Sequence, residues 1–349
     1  MRFTEQDNGL RAVDLFSGGG GSSIGAGLAG VKPVAAIDSW NLARDTYKDN
    51  FPDVIFYCRK AQNVRPEEVA RAVGSPIHLL LASPECTNHT CARGAKERSE
   101  ESLNTAFQVV RFAKVLKPRW IVVENVIQMS SWARYPTWLS RLGKLGYQVR
   151  VQTLNAADFG VAQSRRRLFV VCDLKAIPPK IVPPTAVRHR TARDFIDPNG
   201  NYTFSLLRSP NRAAATIGRA SRAVAALPAD EPFLIVYYGS DAAGGWQSVD
   251  RPLRTVTTLD RFAYVRPTCE GQHEMRMLQV PELKEAMGLP AEFRLNYGTR
   301  RERIKLLGNA VCPPVMKSIV EALVRQTTTK ENGDTQPPAS PVGVVRAKG

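Results

Sequence analysis

The chain has 349 residues and a mass of 38.5 kDa, enough for one large core or two domains, and its 43% hydrophobic content is that of a folded protein. No run of about 18 apolar residues occurs, and the first 30 residues lack a basic segment followed by an uninterrupted apolar one. Membrane insertion and secretion are therefore disfavoured, and a cytosolic protein is expected. A net charge of +16, with a pI near 9.8, points first to nucleic acid as partner, although charge alone also fits a merely solvated arginine-rich surface.

In chain order, Arg11 to Phe16 reads as a buried strand running into Ser17-Gly18-Gly19-Gly20-Gly21 and a small-residue helix, which lets backbone approach a nucleotide-like ligand. A dinucleotide fingerprint would need glycine at 23, where Ser23 stands, and no P-loop lysine follows. The next strand, Val34 to Asp38, ends in a carboxylate able to accept from both ribose hydroxyls of an adenosine ligand; the alternative for Asp38 is an N-cap for a helix over Trp40 to Tyr47.

Strand His78 to Ala82 delivers Ser83-Pro84-Glu85-Cys86 to the same edge of the sheet, where a nucleophilic thiol would meet the cofactor pocket. An apolar stripe from Glu101 to Leu116 predicts a covering helix ended by Lys117-Pro118. Strand Trp120 to Val123 brings Glu124-Asn125-Val126 beside the thiol, and Gln163-Ser164-Arg165-Arg166-Arg167 precedes a strand over Leu168 to Cys172. Strands alternating with helices predict a mainly parallel α/β sheet.

From Ile177 to about Gln247 the texture changes to Pro-Pro pairs and weak periodicity, which predicts a second, smaller and less regular domain. Between Lys180 and Arg222 eight Lys or Arg residues face two acids, so positive charge concentrates there. After Gln326 the composition predicts a disordered tail. The six cysteines show no C-x2-C pair, and Cys86, His89 and Cys91 lack a second ligand pair for zinc, so no metal is expected.

These motifs resemble, in identity and in order, the cytosine-C5 DNA methyltransferase family of bacterial and phage type. Asp-Leu-Phe-Ser-Gly-Gly-Gly at 14 to 20, Pro-Glu-Cys at 84 to 86, Glu-Asn-Val at 124 to 126, Gln-Ser-Arg-Arg-Arg at 163 to 167, Arg-Pro-Leu-Arg-Thr-Val-Thr at 251 to 257 and Gly-Asn-Ala-Val-Cys-Pro-Pro at 308 to 314 carry the likeness. The resemblance implies a Rossmann-like S-adenosyl-L-methionine-dependent methyltransferase sheet with a smaller, irregular target-recognition domain. Its boundaries would be 1–176 for the catalytic domain, 177–247 for target recognition, 248–325 for a segment returning to complete both, and 326–349 for the tail.

The resemblance also implies roles. Cys86 would add to C6 of a flipped cytosine in duplex DNA, Glu124 would hydrogen-bond N3 and the exocyclic amine, and Arg167, with Arg165 nearby, would hold O2 or the flanking backbone. The segment Thr87 to Ser99 would close on the extruded nucleotide. S-adenosyl-L-methionine would lie against Phe16, Ser17, Gly18, Gly20, Asp38, Ser39, Lys60, Ser83, Asn309 and Val311, while Cys312 reads as core packing. A monomer is expected, and the sequence neither requires nor excludes a cognate restriction enzyme.

Two residues depart from the family pattern. Glu85 replaces the usual proline before the nucleophile, and Lys60 stands where the family usually places an acid that accepts from the adenine amine, a bond an ammonium cannot accept. The departure at Lys60 raises, as an alternative, a carboxylated cofactor held by a charge-assisted contact. Methylation of cytosine in RNA is the other alternative.

Overall fold

A computed structural model describes residues 9–74, 76–84, 105–200, 202–239 and 244–331. Cys86, together with Glu85, His89, Cys91 and the segment from Thr87 to Ser99, lies outside the described residues, as does the chain beyond 331.

The apolar runs form strands β1 (Leu10–Leu15), β2 (Val31–Asp38), β3 (Ile55–Cys58), β4 (Leu79–Ala82), β5 (Trp120–Asn125), β6 (Gln148–Asn155) and β8 (Arg166–Asp173) of one sheet, ordered β3-β2-β1-β4-β5-β8-β6. β1 to β5 pair in parallel, whereas β8 runs antiparallel to both β5 and β6. The strands read from the sequence are all present, with ends shifted by a few residues, and β3 and β6 join them. Because β1 lies between β2 and β4, the direction of chain progression reverses there, which opens a crevice at the carboxyl ends of the strands.

Both faces of this sheet are covered, which is why the central strands β4 and β5 are buried along their whole length and largely apolar. On one face pack α3 (Pro66–Val73), α4 (Thr105–Leu116) and α5 (Tyr135–Lys144); on the other lie α1 (Gly21–Leu28), which packs on the long α9 (Pro313–Glu331), and α2 (Asn41–Asn50). In α4 the buried positions are Ala106, Val109, Phe112, Ala113 and Leu116, one helical stripe; each large side chain removed from water there stabilises by roughly 1.5–3 kcal/mol. Lys117, with φ 45°, and Pro118 end the helix as expected. The stretch Arg300–Thr327, which takes in the helix Arg300–Asn309 and most of α9, is long and apolar enough by composition to qualify as a membrane span, but Met316, Ile319, Val320 and Leu323 are buried in the core.

The stretch read as irregular contributes regular structure: β9 (Ser205–Leu206), α6 (Ala214–Val224), β10 (Phe233–Val236) and β11 (Trp246–Ser248). With β13 (Phe262–Pro267) and β14 (His273–Met277) these strands make a five-stranded antiparallel sheet, ordered β11-β10-β13-β14-β9. Strands as short as two residues, separated by long excursions, carry too little periodicity to be read locally. A two-residue parallel ladder of β7 (Gln163–Ser164) with β12 (Leu253–Arg254) joins the two sheets. α7 (Val280–Ala286) and α8 (Arg300–Asn309) then return the chain to the first sheet.

Candidate active site

A cavity of about 470 Å³ lies in the crevice at the carboxyl ends of β1 to β5, a size ordinary for a small-molecule site. The turn that follows β1 supplies Phe16, Ser17 and Gly18. Phe16 holds φ 57° and Gly18 φ 51°, so this turn is left-handed at two positions, a conformation that costs a phenylalanine about 1–3 kcal/mol and a glycine almost nothing. The turn is fastened by Asp38, whose Oδ2 accepts from the Gly18 amide at 2.9 Å and whose Oδ1 accepts from the Trp40 amide at 2.9 Å. Asp38 is therefore not the N-cap of α2, a position held by Trp40. Burial pushes the Asp38 carboxyl upward, and the Trp40 and Gly18 amides oppose that shift.

Ser39, Trp40, Lys60, Ala61, Gln62 and Lys305 line one end of the cavity; Ser83, Pro84, Glu124, Asn125, Arg165 and Arg167 line the other, with Asn309 and Val311 along the side. Gly20 does not line it. With φ 98°, it faces α2, and a side chain there would meet the Phe51 ring at 2.5 Å. Strand order separates Lys60, after β3, from Glu124, on β5, by four strand spacings, about 19 Å.

Glu124 is buried, and its Oε1 faces Arg167 Nε at 3.3 Å. Burial raises its pKa; Arg167 first and Arg165 second pull it back. Asn125 turns the other way: its amide donates to Pro84 O at 3.0 Å, tying the end of β5 to the loop that continues to Cys86. Arg165 is 3% exposed and donates to the carbonyls of Val256, Gly308 and Ala310, at 3.0, 2.8 and 3.1 Å. Its guanidinium thus stitches three sequence-distant segments together, while Arg167 is the one paired with the carboxylate. Cys312 is buried behind them, and burial lifts its thiol to about 11, consistent with packing.

The structure also brings in residues that local sequence reading missed. Trp40 and Asn125 belong to segments singled out in the sequence, but nothing local assigned them a contact. Lys305 had no local signal, because only the return of α8 places its Nζ 4.9 Å from the Trp40 ring centroid. Gln163 was read only as part of an arginine motif, yet its side chain accepts from the Val256 amide at 2.9 Å and donates to Ala286 O at 3.1 Å, holding the junction between the sheets.

Comparison with known proteins adds independent findings. The profile of the family described as C-5 cytosine-specific DNA methylase matches residues 10–325. The chain is 27% identical over 315 residues to the Type II methyltransferase M.HgiDI of Herpetosiphon aurantiacus, covering 86% of this chain and 90% of that one. It is 25% identical over 337 residues to M1.HphI of Haemophilus parahaemolyticus, covering 92% and 88%. Among solved structures, a putative DNA modification methyltransferase encoded within an E. coli prophage superposes with TM-score 0.66 at 16% identity, over 91% of this chain and 99% of that one. A DNMT2 variant from Spodoptera frugiperda gives 0.68 at 17%, over 90% and 99%.

Proposed function

Because the chain belongs to the C-5 cytosine-specific DNA methylases and so methylates C5 of cytosine in DNA, we propose that it does so with S-adenosyl-L-methionine in the cavity and Cys86 as covalent nucleophile. The observation that carries this reading is the convergence, at one sheet edge, of the Arg167-paired Glu124 and the Asn125-anchored loop leading to Cys86. Asp38, pinned by two backbone amides, keeps lone pairs for ribose hydroxyls, which suits an adenosine-bearing cofactor. When bound, that cofactor supplies an electrophilic methyl group.

Cytosine C5 is a weak nucleophile until a group adds at C6. The base is flipped out of the duplex, at a cost of a few kcal/mol. Cys86 sulfur bonds to C6, and the charge that builds on N3 is met by the Glu124 carboxyl, whose pKa burial raises against the opposing pull of Arg167 and Arg165. Arg167 holds the Glu124 carboxyl and presents its remaining donors to the base O2. Once C5 carries the methyl group, its proton leaves to a base, the C6–sulfur bond breaks and the electron pair returns to Cys86. Arg165 acts at a distance, by holding the segment that carries Asn309 and Val311.

The position of Lys60, about 19 Å across the sheet from Glu124, removes it from the transfer end and favours the ordinary cofactor over a carboxylated one. We further propose that the protein acts as a cytoplasmic monomer on duplex DNA, since a flipped base occupies one site without twofold symmetry. Incubating the full chain with S-adenosylmethionine and mixed-sequence duplex, then analysing nucleosides by mass spectrometry, tests the reading. A 5-methylcytosine peak lost in Cys86→Ser is expected; product retained by that variant would remove the covalent mechanism. Product on tRNA and none on duplex would move the substrate to RNA.

A further inference from the structure

We propose that Arg111, which does not itself line the cavity, is a positioning residue for the nucleoside end of the cofactor, because its guanidinium fixes the turn that walls that end. The inference rests on the reading that the cavity takes S-adenosyl-L-methionine with its ribose on Asp38.

Direction along the sheet comes first. From Asp38 at the end of β2, the reacting end lies toward β4 and β5, where Pro84 and Glu124 stand. The base therefore extends the other way, past β2 toward β3. The wall it meets there is the turn that follows β3, whose residues Lys60, Ala61 and Gln62 line the cavity and whose Ala61–Asn63 form one turn of 3-10 helix. β3 is the last strand of its sheet, so the chain here has a neighbouring strand on one side only.

A turn this short closes few bonds of its own: the Asn63 amide donates to Lys60 O at 2.8 Å, and the Val64 amide to Ala61 O at 3.2 Å. Arg111, on α4, fastens it from outside. Its Nη2 donates to Ala61 O at 2.5 Å and to Val64 O at 2.9 Å, so one nitrogen spans the turn with two charge-assisted bonds. The guanidinium is confined in its turn, half-buried, with its carbon 5.2 Å from the Phe112 ring centroid, on a helix that Val109, Phe112 and Ala113 bury in the core. Burial lowers the Arg111 pKa and the charge of Glu67 opposes that shift, as befits a cation held partly out of water. α4 also packs against α3 and against the turn itself.

A wall held by a side chain rather than by a strand ladder shifts when that side chain is removed. Glu124 lies three strand spacings, about 14 Å, from β2 on the other side, so the reacting end keeps its own supports. Loss of Arg111 therefore falls on cofactor binding more than on the transfer step.

Calorimetric titration of the full chain with S-adenosylhomocysteine tests this without turnover. Arg111→Met, which keeps an apolar stem and removes the donors, is expected to weaken binding by about tenfold or more, and Arg111→Lys, which restores a charged donor, to recover most of that loss. In methylation assays the methionine variant's KM for S-adenosylmethionine should rise by a similar factor, while kcat at saturating cofactor changes far less. Binding by Arg111→Met within about threefold of wild type, a lysine variant as weak as the methionine one, or a fall in kcat with KM unmoved overturns the inference and leaves the cofactor reading intact. Should Arg111→Met fail to melt cooperatively, hydrogen exchange on the wild type decides: the Asn63 and Val64 amides are expected to gain protection when S-adenosylhomocysteine is added, and no change there overturns the inference. A wild type that binds no S-adenosylhomocysteine removes the cofactor reading and the inference together.

Discussion

Beneath the glycine turn, Asp14 is fully buried, accepting from Ser23 Oγ at 2.7 Å, and Ser23 Oγ lies 2.7 Å from Tyr47 OH. Burial, only partly offset by the Ser23 hydrogen bond and reinforced by the charge of Asp38, lifts its pKa from 3.8 to about 7. In the unfolded chain the same carboxyl ionises near 4. A raised folded-state pKa means stability present at acid pH and lost as pH climbs from about 4 to about 7, on the order of 4 kcal/mol at full extent. An asparagine side chain cannot ionise, so the melting temperature of Asp14→Asn relative to wild type should rise across that window and level off above it. A difference that stays flat from pH 4 to 8 would show that the carboxyl is ionised throughout. Glu124 follows the same physics at the reacting end, but there two arginines limit the shift.

At the scale of elements, what matters is how closely the returning chain seats against the first sheet. Gly308, near the end of α8, is one such contact: a Cβ there would lie 2.3 Å from the carbonyl oxygen of Thr257. Its own carbonyl accepts from Arg165, and its neighbour Asn309 lines the cavity. Gly308→Ala should therefore destabilise the fold by about 1–3 kcal/mol and weaken S-adenosylhomocysteine binding in parallel, measured by thermal melting and calorimetry. An unchanged melting temperature would mean that α8 can shift without loss. β1, β4 and β5 were legible from sequence because a run of apolar residues bounded by turn signals admits few alternatives, and α4 because its apolar stripe has a helical period. β9, β11 and β12 were not, since two or three residues define no period and pairing with distant strands makes them strands at all.

For the whole molecule, net charge and architecture bear on DNA affinity together. The excess of +16 should make duplex binding strongly salt-dependent: with about four or more phosphates neutralised, affinity falls at least about 100-fold between roughly 50 and 200 mM salt. Fluorescence anisotropy with a labelled duplex measures this, and an affinity independent of salt would return the arginines to the role of a solvated surface. Sequence order by itself determined the chemistry on offer: a thiol, a carboxyl, paired arginines and a glycine turn, each beside an apolar strand, at the edge where the carboxyl ends of the parallel strands meet the start of antiparallel β8. Only the tertiary structure decided which groups meet. It gave Arg167 to Glu124 and Arg165 to backbone carbonyls, turned Gly20 away from the cavity, and set Lys305 over Trp40, which stands far earlier in the chain. The reason is that side-chain direction and the return of distant segments follow from packing and register across the fold, which no local window of sequence contains.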